Sequence, residues 1–257
     1  MRKLFVSTLL LTCAGLVWAQ DHPAAPSKPA AAGGELSDPV EILKKADEAS
    51  KAVDSVKYTA KAKGIGANEA KDPVVEGTVI LQGYKNGRPE KVRYEAKVTP
   101  PGSSEVRDIV MGNDGNEYFL IDNTKKIAYV DIDPAVVGNS GRLVSGLTMM
   151  EYVHDTPFSD EINAEKKEFK GSEKVGSEDT YHVWVKYGAQ NQEADWYFSK
   201  KDFLPRRVDR HFPAQAERPA GGRQLSVTSL TVAPKFEKDP FKLDLPQGYT
   251  KSEDFAP

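Results

Sequence analysis

The chain has 257 residues, of which 39% are hydrophobic and 28% charged, with a formal net charge of −3 and one cysteine. A chain of this size and make-up can bury a sizeable core in one domain. Its mild acidity argues against nucleic acid as a partner, because nucleic-acid binders show a basic footprint.

Arg2 and Lys3 precede an apolar run to Leu16, and Val17, Trp18 and Ala19 follow it. This is the pattern of a cleavable secretory signal peptide over residues 1–19, too short to span a bilayer comfortably. Cleavage would remove Arg2 and Lys3, taking the net charge from −3 to −5. It would also remove Cys13, and with it disulfides, thiolate nucleophiles and cysteine metal ligands. Cys13 follows Leu10, Leu11 and Thr12. Thr12 stands where a lipid-attachment motif carries Gly or Ala, so Cys13 reads as part of the apolar run. Residues 20–37 are dominated by Ala, Pro and Gly and read as a disordered linker. A single domain is expected over residues 38–257, secreted to the periplasm and monomeric.

Asp38, Pro39 and Glu41 give a helix start with an N-cap, a first-turn proline and a capping-box acid. Ile42, Ala46, Ala49 and Val53 then mark one apolar face at helical spacing. From Ser55 the period falls to two: Val56, Tyr58, Ala60 and Ala62 alternate with Lys57, Thr59, Lys61 and Lys63, a strand with one buried and one wet face. Val75, Gly77, Val79 and Leu81 predict a second strand, and Val92, Tyr94, Ala96 and Val98 a third. Asn113-Asp114-Gly115 is a turn, and residues 122–125 separate two further strands at 118–121 and 127–130. Asp133-Pro134 is another cap-plus-proline start, after which Leu143, Leu147 and Met150 recur at helical spacing to about His154. Strands resume with Tyr181, Val183, Val185 and Tyr187, then Trp196 and Phe198, then residues 208–212. Leu225 and Val227, followed by Leu230 and Val232, predict a strand that changes face, and Phe241, Leu243 and Leu245 end the domain. Roughly ten strands and two helices predict a mainly β fold, a highly curved antiparallel sheet or incomplete barrel with an N-terminal helix and an inserted lid helix.

Catalytic and metal motifs are missing. His22, His154, His182 and His211 lie far apart with no metal-ligand spacing, and His182 alternates with Tyr181 and Val183 and so faces away from them. The chain has no G-x-S-x-G elbow, Walker loop or H-E-x-x-H. Asp122 fits a turn and Asp133 a helix cap. Met149-Met150 beside Leu143 and Leu147 is a different kind of signal: methionine adapts to irregular apolar shapes and suits a lid over a pocket, and equally suits a core. Tyr58, Tyr94, Phe119, Trp184, Trp196 and Phe198 can line a cavity or fill one.

Three places resemble the LolA/LolB-type lipoprotein carrier superfamily of Gram-negative bacteria. Residues 43–58, with Val53-Asp54-Ser55-Val56, resemble its opening helix and the start of its first strand. Arg88-Pro89 followed by Val92 and Tyr94 resembles its Arg-Pro motif, and Phe241, Leu243, Pro246 and Gly248 resemble its terminal Phe-x-Phe-x-x-Pro-x-Gly signature. The resemblance spans residues 38–249. It implies an incomplete β-barrel under a helical lid, an apolar cavity for acyl chains, no covalent chemistry and no cofactor. It also implies that Arg88 is a latch holding the lid closed on a carbonyl or carboxylate. The loop 99–105, the longer lid region and the insertion 213–222 depart from the carrier pattern, so the fold carries over better than the cargo. On this reading the protein is a non-catalytic carrier for a lipid or an acylated protein, working with inner- or outer-membrane partner proteins. Its cavity would be lined by Val79, Leu81, Tyr94, Phe119, Leu143, Leu147 and Met150, with no metal. The alternative is a sensor of the same architecture that binds a membrane-anchored regulatory protein.

Overall fold

The computed structural model describes residues 35–130, 144–188, 192–216, 219–245 and 247–253. The expected signal peptide, most of the linker, Cys13 and Leu143 lie outside these residues.

Helix α1 (Pro39–Lys51) begins as its sequence dictates, with the Asp38 carboxylate accepting a hydrogen bond from the Val40 N–H at 2.9 Å. It buries Ile42, Leu43 and Ala46. Among the described residues twelve strands follow: β1 (Ser55–Gly66), β2 (Val74–Lys85), β3 (Arg88–Thr99), β4 (Arg107–Asn113), β5 (Tyr118–Asp122), β6 (Ile127–Val130), β7 (Lys166–Val175), β8 (Glu178–Lys186), β9 (Glu193–Ser199), β10 (Pro205–Phe212), β11 (Gly221–Val232) and β12 (Thr250–Ser252). They form one curved sheet in the order β12-β6-β5-β4-β3-β2-β1-β11-β10-β9-β8-β7, not closed into a barrel. Every neighbouring pair is antiparallel except β12 with β6, which is parallel. The expected mainly β, open-barrel class is the observed one.

Local chemistry sets the register. β2 and β3 join through Asn86 (φ 54°) and Gly87 (φ 80°). Left-handed backbone at both central residues is what a tight two-residue hairpin requires. The Asp122 carboxylate accepts from the Thr124 and Lys125 N–H groups, both at 3.0 Å, and fixes the β5–β6 turn. The expected change of face in β11 is a bulge: Thr59 pairs with Ser229 and Ala60 with Val227, leaving Thr228 between them. Gly64-Ile65-Gly66, which resembles a turn in sequence, continues β1 and pairs with residues 221–223.

The alternating residues split into two apolar faces. The concave face carries the main core, including Val56, Tyr58, Val79, Leu81, Tyr94 and Trp196. On the convex face, Val110, Phe119, Ile121 and Ala128 form a second cluster against Leu243, Leu245 and Tyr249. Leu243, Leu245 and Tyr249 therefore cover the outside of β4–β6, and β12 then pairs with β6. Phe119 belongs to this outer layer, with its ring against Gly112, where a Cβ would stand 2.4 Å from it. This corrects its expected place in the cavity lining: its neighbours Tyr118 and Leu120 face the main core, and the period of two turns Phe119 outward.

Phe119→Ala removes a buried ring from the convex clasp, and we expect it to lower stability in urea unfolding by about 3–5 kcal/mol while leaving uptake of an apolar probe at wild-type level.

Candidate functional site

Strand β6 lies near one end of the sheet and β7 at the other, so the connection between them has to cross the concave face. Its described part, the strap from Val144 to Ala164, does so. It runs as two 3-10 turns, Ser145–Leu147 and Met150–Tyr152, and then the one-turn helix α2 (Ser159–Ile162). The helix expected up to His154 is corrected over residues 145–154: between the two turns Thr148 is extended and Met149 (φ −93°, ψ 87°) is not helical. Leu147, Met149, Tyr152 and Phe158 are fully buried in the core. The strap is thus a plug made from the chain itself.

Polar bonds inside this apolar core hold it. Tyr58 Oη donates to the Leu147 carbonyl at 2.9 Å and accepts from the Met149 N–H at 2.9 Å. Tyr94 Oη and Thr148 Oγ1 are 2.7 Å apart, Tyr152 Oη donates to the Pro205 carbonyl at 2.5 Å, and Asp47 Oδ1 accepts from the Phe158 N–H at 3.3 Å. Burial pushes the Tyr58 and Tyr152 hydroxyls well above their ordinary range and raises that of Tyr94, so they stay protonated and able to donate. Small residues make room for the strap: a Cβ on Gly146 would stand 3.4 Å from Ala62 Cβ.

Of the expected lining residues, Val79, Leu81, Tyr94 and Leu147 share the main core, buried beneath or within the strap. Met150 is only partly buried and faces an outer cleft; its neighbour Met149 is the buried methionine. Arg88 is exposed, with its guanidinium 5.9 Å from the centre of the Tyr118 ring. Among the described residues no bond runs from it to residues 144–154, which corrects the expected latch over that part of the lid. Tyr58, Tyr94 and Asp47, from β1, β3 and α1, tie the strap down from one side, and Tyr152 bonds it to β10 through the Pro205 carbonyl.

Two hollows flank the strap. A cavity of about 250 Å³ lies by its start, with Ala62, Val75, Thr148, Val208 and Leu225 among its walls. An open, polar cleft of about 730 Å³ lies by its end, bounded by Glu151, His154, Glu161, Tyr187 and Arg210. Arg210 lines both. Its guanidinium lies 5.0 Å from the centre of the Trp196 ring and donates to Glu151 Oε1 at 2.7 Å. Trp196 Nε1 donates to Tyr187 Oη at 3.4 Å, and that hydroxyl donates to Glu161 Oε1 at 2.6 Å. Burial, with Glu151 nearby adding to it, pushes the Glu161 carboxyl up to about 7, against the pull of the Tyr187 hydrogen bond and Arg210. Sequence reading missed this group; its one local signal is the inward parity that Arg210 shares with Val208.

On the outer face, His182 and His211 are not isolated: they bond the two oxygens of Asp195 at 2.7 and 2.8 Å. Burial alone would raise the Asp195 carboxyl, but these two bonds outweigh it and hold it below the usual range. Among the described residues no group of three or more His, Cys, Asp or Glu side chains is arranged to hold a metal ion, and no helix is long and apolar enough to cross a membrane.

No protein family matches the sequence, and no curated protein does. Solved structures that the chain is similar to include the following three. LprF from Mycobacterium bovis has 11% identity and a TM-score of 0.48, with 81% of this chain and all of that one covered. MucB in complex with MucA(peri) has 11% identity and a TM-score of 0.44, with 80% of this chain covered and only 60% of MucB's length. A LolA superfamily protein from Nitrosomonas europaea has 13% identity and a TM-score of 0.31, with 81% and 99% covered.

Tyr58→Phe leaves the Leu147 carbonyl and Met149 N–H unpaired in the core, and we expect urea unfolding to show a loss of about 2–4 kcal/mol with faster amide exchange in residues 147–153. Glu161 keeps its proton in the folded protein to about pH 7 and would lose it near its ordinary 4.5 when unfolded. The folded state therefore binds more protons over that interval, and stability falls as pH rises through it, by on the order of 3 kcal/mol. Glu161→Gln should flatten that slope; an unchanged pH profile of the unfolding midpoint would contradict the assignment.

Proposed function

We propose that this protein is a non-catalytic binding protein of the periplasm that carries a lipid or an acylated protein on the concave face of its sheet, its occupant exchanging with the strap. The observation that supports this reading most directly is the nature of the plug. The concave surface is apolar over β1–β3 and β8–β11, and beside α1, which packs Ile42, Leu43 and Ala46 into the same core, what covers it is a connection of 3-10 turns held by a few tyrosine hydroxyls.

A segment held in that way can be replaced. An incoming acyl chain has to match four buried side chains, each contributing about 1.5–3 kcal/mol, and each buried methylene returns roughly 0.8 kcal/mol. A chain of ordinary fatty-acyl length is therefore on the right scale to compete. Reversible competition between strap and cargo is what a carrier requires, because a permanently open cavity would hold an acyl chain too tightly to deliver it.

The test is uptake of a fluorescent fatty-acyl probe, with hydrogen exchange read on the strap. Wild-type protein is expected to bind the probe and to lose amide protection over residues 147–153 as it does so. Tyr58→Phe combined with Tyr94→Phe should raise the affinity by at least about thirtyfold, the effect of roughly 2 kcal/mol or more less strap stabilisation. Failure of wild type and the double variant alike to bind any acyl probe would overturn the reading. Binding without loss of strap protection would place the ligand elsewhere.

A further inference from the structure

The cleft at the end of the strap has a chemistry that neither the core nor the plug explains. Two carboxyl groups, Glu151 and Glu161, face one guanidinium, Arg210. Glu151 Oε1 bonds that guanidinium, whereas Glu151 Oε2 is buried with no hydrogen-bond partner among the described residues. Glu161 is 5% exposed and has its Oε1 on Tyr187. A buried carboxylate oxygen without a donor is costly, by about 1–3 kcal/mol or more for a charged group. A cation that brings N–H donors would pair with that oxygen. The metal alternative is disfavoured because no three metal-ligating groups converge among the described residues. A quaternary ammonium brings charge but no donor. A primary ammonium brings both.

Arg210 adds a second requirement. It forms a wall of the polar cleft and of the 250 Å³ cavity, where Ala62, Val75, Val208 and Leu225 supply apolar surface. A guanidinium has five donors in a fixed fork suited to phosphate, and here it stands between a place for a cation and a place for a hydrocarbon. We propose that the cleft binds the primary ammonium headgroup of an amphiphile, with the ammonium on Glu151 Oε2 and Glu161, the adjoining phosphate on Arg210 and the chain entering the cavity beneath the strap. Only the placement of the chain rests on the carrier reading; the ammonium site does not.

The experiment is calorimetric titration of the full chain with short-chain lipids of identical acyl chains, carrying ethanolamine, choline or glycerol phosphate headgroups, and with O-phosphoethanolamine alone. The ethanolamine lipid should bind at least about tenfold more tightly than the other two. Glu151→Gln should bring it to within about threefold of them, and Glu161→Gln should do the same. Equal affinity of the wild type for all three lipids would overturn the ammonium site while leaving the carrier reading intact, and this comparison needs no variant to fold. Binding of O-phosphoethanolamine, lost in Glu151→Gln, with no lipid bound would support the site and count against the carrier. No binding of any of the four would overturn the inference together with the reading beneath it.

Discussion

The structure depends on one topological constraint: β6 and β7 are consecutive in the chain but ten strand positions apart in the sheet. At about 4.8 Å between neighbouring strands, the connection has some 48 Å to cross if measured along the sheet. Curvature shortens the path by bringing the two ends toward each other, and the short way then lies over the concave face. An apolar concave face and a chain compelled to cross it make a plug. The meander β1–β6 and the returning meander β7–β11, joined edge to edge at β1 and β11, are what place the crossing there.

What the crossing is made of matters as much as where it runs. A regular helix in that position would satisfy its own backbone groups, whereas 3-10 turns and extended pieces leave N–H and C=O groups in the core that need outside partners. Tyr58 meets two of them at once, and Asp47 on α1 meets a third. Buried bonds of this kind fix one register of the strap, because any shift along it leaves several polar groups unpaired together. The strap is therefore specific in position while contributing few regular backbone bonds.

The alternating strands are legible in the sequence, because a half-buried strand repeats every two residues: Val56, Tyr58, Ala60 and Ala62 are all buried. So is α1, whose cap is written in Asp38-Pro39. The strap is less so. Leu147 and Met150 lie three apart, which reads as helix, but the pattern cannot distinguish a helical face from turns whose side chains are drawn in by a tyrosine in β1. Phe119 fails for the opposite reason: aromatic character suggested an inner place, but the period of two sends it outward, to a clasp formed by residues more than a hundred positions later. The cleft was invisible, since Glu151, Glu161, Tyr187 and Arg210 are joined only by tertiary packing. Resemblance to a carrier family led to Arg88, and the geometry moves attention to Arg210.

An open sheet of this kind has to keep its edges from pairing with other chains, and here the two ends solve it differently. At one end β12, three residues long, covers β6 in parallel, and Leu243, Leu245 and Tyr249 cover the convex apolar cluster beside it. At the other, β7 is rich in Lys and Glu, and its register with β8 shifts between Phe169 and Gly171, a charged and irregular border that resists edge-to-edge addition. Because neither edge closes on the other, the sheet can widen or narrow without breaking a ladder of hydrogen bonds. The strap therefore packs against a sheet whose two edges are independent of each other, held there by Tyr58, Tyr94, Asp47 and Tyr152 and by its own buried side chains.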